Sequence, residues 1–440
     1  MNPFFSRAWS TVLLAGLAGL LLVKGVVPAL SEIDADFPGY YTAARIVADG
    51  QDTSRLYDDS WFREQIRRYG LESAKNPGKF APFPPPTALL LVPVAHFEPL
   101  TVLRIVTAIS VLCLILSMFL LARLLSWHVL DSALFVLCSG LNIISCLRFG
   151  QPYILASTSC VLGYYLYVKG RPWLAGACLA VFVPIKYYPV IILGYLGIRG
   201  EWKVLLGGAA VIVVVALASI GVLGWQVHQT FLVSVLGNHL TGHLSLAAAH
   251  STPFSAVYQS FDTLFNRLFI FDPAGNPHPL LAAPLLRTLS VVITKGAIVL
   301  VAAVALLRLH RERAAGAAAP SIGILGILVL LIAPATATYT CVLLWLPIAL
   351  LISYFLSQHA RMPAYFTLGM YVAIGFVGML GPYTSPFEGR GGLTVLAYPR
   401  LFLLLALFVG CAYFALVPGP AGSGMLPAAL GWNARNRSHQ

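Results

Sequence analysis

VLLGGAAVIVVVALASIGVL, residues 204–223, is a run of twenty residues without a single charge. Twenty helical residues rise about 30 Å, the thickness of the hydrocarbon core of a bilayer. A run apolar on every face has no side to turn toward water. A transmembrane β-strand alternates apolar and polar side chains over about ten positions, and this run does not alternate. It reads as a membrane-spanning helix. The pattern recurs on both sides of it, in apolar runs separated by short basic loops. Of the 440 residues 58% are hydrophobic and 10% are charged, and the mean hydropathy is +0.82. A soluble domain carries about 25% charged residues, so a water-soluble protein is excluded and an all-α integral membrane protein of polytopic build is expected.

About twelve transmembrane segments are expected, at 10–30, 101–123, 128–146, 153–168, 173–185, 189–198, 203–224, 286–309, 321–336, 339–357, 363–381 and 399–417. The apolar stretch 87–97 is too short to cross and reads as interfacial or re-entrant. Residues 10–30 read as a retained first span, the alternative being a signal cleaved near Ala29. One threading puts Arg7, Arg123, Lys169, Arg171, Arg199, Lys203, Arg308, Arg313, Arg361, Arg435 and Arg437 together on the cytoplasmic side, with both termini inside. That threading makes 173–198 a hairpin, because basic turns lie at both of its ends. Pro184 and Pro189 bracket Ile185-Lys186-Tyr187-Tyr188 and would break the helix there. The alternative is one kinked crossing. The expected organisation is a transmembrane domain over 1–417, with outer loops at 31–85 and 225–285, followed by a flexible cytoplasmic tail at 418–440.

The net charge of +12 suits anionic headgroups at the cytoplasmic face, so membrane lipids are expected partners and nucleic acid is not. The seven cysteines lie in or beside apolar runs without the spacing of a disulfide framework or a metal site. The loop 31–85 holds nine of the sixteen acids, and 225–285 holds five of the ten histidines. Loops this long are usually functional, which places the working face outside. Asp34 and Asp36 follow the first span, where neighbouring lipid can raise a carboxylate toward the range of a useful base; the plain alternative is an acid cluster that ends a span. Lys186 is expensive inside a membrane and should face a polar cavity, unless it snorkels to an interface. Lys295 lies deep enough to need a polar partner. Arg63, Arg67 and Arg68 would share a solvated face. His239 and His243 lack the companions of a metal site, so no metal and no cofactor is expected.

Asp36-Phe37-Pro38-Gly39-Tyr40-Tyr41-Thr42-Ala43-Ala44, with Gly50 and Leu56-Tyr57 after it, resembles the first outer loop of glycosyltransferase family 87. These are the polyprenol-phosphate-mannose-dependent mannosyltransferases of the GT-C superfamily. Further pieces match in order: Phe83-Pro84-Pro85-Pro86 and Pro93, Gly150-Gln151, Lys169-Gly170-Arg171 with Ala175-Gly176, and Lys186 with Pro189. The first half of the chain resembles the family closely and the second half loosely. Ala333-Pro334 is followed by Thr336, Thr338, Tyr339 and Thr340 where the family often has a Trp or His cluster. His250-Ser251-Thr252 stands where Asn-x-Ser is common.

The resemblance implies a GT-C-type helical bundle with a structured first extracytoplasmic loop, in a bacterial cytoplasmic membrane. It implies an inverting hexosyltransferase that moves mannose or another hexose from a polyprenyl-phosphate sugar to an extracytoplasmic lipid or glycan acceptor. Asp36 would be the catalytic base, with Asp34 in reserve. Lys186 would bind the donor phosphate, with Arg148 beside Gly150-Gln151 as a second candidate, the alternative for Arg148 being an interfacial anchor. Tyr40, Tyr41, Gln151, Tyr187, His250 and Tyr339 would contact substrate. The rival class is a polytopic secondary transporter or lipid-linked sugar translocase. Transporters often repeat their features in two halves, and here the acid-rich loop comes once.

Overall fold

Long apolar runs fold as helices because lipid offers the backbone no hydrogen-bonding partner, so each N–H must be satisfied within its own segment. The computed structural model describes residues 7–34, 36–72, 78–237, 253–311 and 318–416. Seven helices there are long and apolar enough to cross a membrane: α1 (Ala8–Ser31), α4 (Pro99–Leu125), α10 (Trp202–Leu223), α13 (Pro284–Arg311), α15 (Thr338–Ser357), α16 (Arg361–Phe387) and α17 (Pro399–Leu416). An eighth is the bent pair α5 (Val129–Leu137) and α6 (Leu141–Arg148), which turn by 70° at their break. Between these lie α2 (Phe37–Ala48), α3 (Asp59–Arg68), α7 (Tyr153–Val168), α8 (Pro172–Ala180), α9 (Val190–Ile198), α11 (Trp225–Thr230), α12 (Phe261–Phe269) and α14 (Ala318–Ile332). No strand occurs among the described residues; an isolated bridge joins Asp272 and Asn276. The protein is an all-helical, multi-pass membrane protein.

Seven or eight full-length helices replace the twelve expected segments, and the difference has a local cause. Four of the twelve are short: α7 has 16 residues, α14 has 15, and α8 and α9 have 9 each. At 1.5 Å per residue the last two reach only about 14 Å. The chain from Ala180 to Val190 carries Pro184 and Pro189, which end one helix and start the next. The stretch expected to lie at the interface, 87–97, forms two 3₁₀ turns, Pro85–Leu89 and Val92–Val94.

The hairpin expected at 173–198 is visible in how it packs on α10. An added Cβ on Gly176, midway along α8, would meet the Val204 carbonyl oxygen at 2.0 Å, and one on Gly207 of α10 would meet the carbonyl oxygen of Trp173, at the start of α8, at 2.6 Å. One on Gly197, at the end of α9, would meet Leu205 at 3.0 Å. The start and the end of the interval therefore touch the same turn of α10, so the chain turns back between them. Glycine at 176 is what lets the two backbones come so close.

Lys295 has the polar partner that its depth requires. Its ammonium pairs with Asp262 of α12, and Arg287 approaches the other oxygen of that carboxylate at 3.6 Å. Arg287 also donates to Asn266 Oδ1 at 2.7 Å, which anchors α12 to α13. Arg63, Arg67 and Arg68 are exposed on α3, and all seven cysteines are free. The expected loop histidines His239, His243 and His250 and the tail 418–440 lie outside the described residues.

Two hydrophobic cores form. The larger lies among the long helices around Trp345, Tyr371 and Phe408. The smaller belongs to the segment after α1, where Phe37, Tyr40, Phe62 and Phe80 are buried with Leu103 of α4 and Leu223 of α10. The segment is thus an ordered cap on the helix bundle. Asp58 starts α3 by accepting from the backbone N–H groups of Ser60 and Trp61, the usual role of an acid at an N-cap.

Candidate active site

Where this cap meets the helix bundle lies a partly open cavity of about 400 Å³. Its walls are segment 78–84 of the cap, the hairpin turn 183–188, Tyr153 at the start of α7, segment 231–236 beyond α11, and residues 335–340, which lead into the first turn of α15. Asp36 opens into it.

Asp36 is placed by the helix it begins. Pro38 sits in the first turn of α2, where a missing N–H costs nothing. Gly39, one residue on, packs so tightly that a Cβ would lie 2.9 Å from the Lys79 carbonyl oxygen. Beneath this turn lies Gly150, with φ +59° and the ring of Phe37 only 2.7 Å from where its Cβ would be. Both the left-handed backbone and the contact call for glycine. The turn delivers Gln151, 1% exposed, whose amide donates to Asp36 Oδ2 at 2.5 Å.

From that carboxylate a chain of polar contacts runs to the lysine. Tyr40 donates its hydroxyl hydrogen to Gln151 Oε1 at 2.8 Å, and Lys186 Nζ donates to the Tyr40 oxygen at 3.2 Å. The Lys186 ammonium is 7% exposed and lies 4.8 Å from the Tyr153 ring centroid and 4.9 Å from that of Phe83. Aromatic faces stabilise a desolvated cation, which is how the apolar hairpin carries it. Burial pushes the Asp36 carboxyl above the ordinary carboxylate range, while the Gln151 hydrogen bond and the Lys186 charge pull it back in part.

Tyrosines line the rest. Tyr339 stacks on Tyr153 at 5.4 Å, and Tyr187 stacks on Tyr188 at 4.9 Å. Thus Asp36, Tyr40, Gln151, Lys186, Tyr187 and Tyr339 are brought together. Asp34, Arg148 and Tyr41 are placed otherwise. Arg148 pairs with Asp34 at 2.9 Å, and neither lines the cavity. Tyr41 turns its hydroxyl to the carbonyl of Phe97 at 2.8 Å. Tyr153, Tyr188 and Lys79, which pairs with Asp59, line the cavity although the sequence did not single them out. Tyr153 was within reach, since it stands two residues after Gln151; nothing local marks Lys79. No cluster of three or more metal-ligating side chains exists among the described residues.

The family model of glycosyltransferase family 87 matches residues 80–334, more than half of the chain. The protein belongs to glycosyltransferase family 87. No curated protein and no solved structure matches it. As a family 87 member the protein is a membrane glycosyltransferase. The matched stretch takes in Phe83, Gln151, Tyr153 and Lys186, while Asp36 and Tyr40 precede it and Tyr339 follows it. In a family 87 enzyme, a buried carboxylate and a buried ammonium facing one tyrosine-lined cavity can accept a proton at one place and stabilise developing negative charge at another.

Proposed function

We propose that this family 87 enzyme transfers mannose or a related hexose from a polyprenyl-phosphate sugar to the hydroxyl of a lipid or glycan acceptor, with inversion at the anomeric carbon. The observation that carries the reading is the linkage of Asp36 to Lys186 through Gln151 and Tyr40 at one cavity. Asp36 takes the acceptor's proton as its oxygen attacks the anomeric carbon from one side. The bond to the phosphate oxygen breaks on the other side, and the electron pair leaves with the polyprenyl phosphate. Lys186 stabilises the charge that gathers there. The tyrosine faces suit a sugar ring. Asp34, engaged with Arg148, would hold the mouth of the outer cap in place rather than accept the proton.

The purified enzyme supplied with polyprenyl-phosphate mannose and membrane glycolipids should form a new glycosidic bond, seen by mass spectrometry as a gain of one hexose. A translocase would carry labelled donor lipid across a vesicle membrane and form no such bond, and that result would replace this reading.

The same reading takes the short apolar helices as limbs or crossings of a twelve-segment GT-C-type bundle. It places both termini in the cytoplasm of a bacterial cell and the cavity on the outer side. The two limbs of the hairpin then begin and end on the cytoplasmic side. Cysteines placed at the exposed positions Lys169 and Lys203 should both be labelled from the cytoplasm by a membrane-impermeant maleimide. Labelling from opposite sides would make 173–198 a single crossing.

A further inference from the structure

Two short turns, 169–171 and 199–201, lie side by side at the end of α10 that points away from the cap. At the other end, the Leu223 carbonyl accepts from Thr53 Oγ1 of the cap at 2.8 Å, and the 22 residues of the helix rise about 33 Å. The two turns are bonded to each other, because the Tyr167 hydroxyl donates to Glu201 Oε1 at 3.0 Å. Trp173, which follows the first turn, and Gly197, which precedes the second, both pack on residues 205–207 of α10. Together the turns form the base of the hairpin whose apex carries Lys186.

That base carries Lys169, Arg171, Arg199 and Lys203 against the single acid Glu201, which the Tyr167 hydroxyl already engages. Lys169, Arg171 and Lys203 are exposed and Arg199 is half-buried. Arg199 donates to the Tyr195 hydroxyl at 3.2 Å, and Lys169 lies 5.5 Å from the Tyr165 ring centroid; neither contact supplies a counter-charge. None of the four belongs to an ion pair among the described residues. Directly beside these charges Trp173 is 53% exposed, Trp202 62% and Leu206 55%. Tryptophan collects at the level of lipid headgroups. The excess of positive charge calls for an anion, and the apolar flank next to it calls for an anion that carries acyl chains.

We propose that the hairpin base binds an acidic phospholipid, with its phosphate among Lys169, Arg171 and Lys203 and its acyl chains along Trp173, Trp202 and Leu206. The lipid bridges the turn that precedes α8 and the turn that follows α9, and so clamps both limbs of the hairpin where they start and finish. The site lies at the opposite end of α10 from the cap, and the inference is independent of the sugar-transfer reading.

The test is a set of thermal melts of the purified, delipidated full-length protein in micelles of one neutral detergent. To these are added phosphatidylglycerol, phosphatidylcholine with the same acyl chains, or glycerol phosphate. Phosphatidylglycerol should raise the midpoint saturably above any rise given by phosphatidylcholine, by about 2 °C or more at about a hundredfold excess over half-saturation. Glycerol phosphate, the same anion without chains, should leave the midpoint unchanged. Each cation contributes about fivefold to the affinity for an anionic lipid, so Lys169→Gln/Arg171→Gln/Lys203→Gln should need about a hundredfold more phosphatidylglycerol for half-saturation. Lys169→Gln/Lys203→Gln should need about twentyfold more, and it decides the matter where the triple variant does not fold. Arg63→Gln/Arg67→Gln/Arg68→Gln removes as many charges from the exposed face of α3 and should keep the wild-type half-saturation. The site is overturned by a wild type without a phosphatidylglycerol-specific rise, by hairpin variants with the parental half-saturation, by an equal loss in the α3 variant, or by glycerol phosphate acting as well as the lipid.

Discussion

Asp36→Asn should reduce sugar transfer by about 10²- to 10⁴-fold, the range that a positioned general base contributes, while donor binding stays close to that of the wild type. Asn keeps the shape and one acceptor oxygen, so the Gln151 amide still has a partner, but it takes no proton at neutral pH. The comparison is Asp34→Asn. Asp34 sits two residues away in an ion pair with Arg148, and its loss should loosen the cap and cost far less activity. Burial holds the Asp36 carboxyl above the ordinary carboxylate range. The base form therefore grows in only as pH rises through that raised value, and the acid limb of the rate profile should lie above the limb an exposed aspartate would give. For stability the sign is opposite. A carboxyl whose folded pKa is raised favours the folded state most below its unfolded pKa, and that contribution fades as pH rises through the folded pKa. Neutralising it by Asn should therefore not unfold the protein at neutral pH. Parental transfer rates in both variants and in the double variant would remove the carboxylate mechanism.

Lys186→Met should lower kcat/KM for the donor by about 10²- to 10³-fold, the typical cost of removing one group that stabilises charge in a transition state. Met keeps most of the stem volume in a site that is 7% exposed, and swapping a buried charge for an apolar side chain is often neutral for folding. A second readout separates electrostatics from packing. The Lys186 charge pulls the Asp36 carboxyl downward, so without it the acid limb should move to higher pH. Lys186→Arg should restore the position of that limb and part of the rate. A folded Met variant with parental donor kinetics and an unmoved limb would refute the assignment.

Membrane residence was legible in the sequence because it is a local property: twenty consecutive apolar residues meet the bilayer's demand wherever they lie in the chain. The same holds for the two groups at the centre of the proposal. A carboxylate one residue ahead of a helix-starting Phe-Pro and a lysine between two prolines in an apolar stretch stand out by their own cost, with no knowledge of neighbours. Helix length was less legible. Hydropathy counts apolar residues and does not register that Pro184 and Pro189 divide one run into two nine-residue helices packed on α10.

Partnership was decided by tertiary structure alone. Tyr40 meets Gln151 across 111 residues and Lys186 across 146, and no local pattern encodes contacts at that separation. Arg148 read as a phosphate ligand because it adjoins the Gly150-Gln151 turn, yet the fold sets it against Asp34. Tyr41 followed Tyr40 in the motif, but adjacent positions on a helix point about 100° apart, so one tyrosine enters the polar chain and the other bonds Phe97. Nothing local marks Arg400 at the head of an apolar span. Only the packed bundle shows its Nε and Nη1 buried and without an acceptor among the described residues, because burial is a property of what surrounds a side chain and not of the side chain itself.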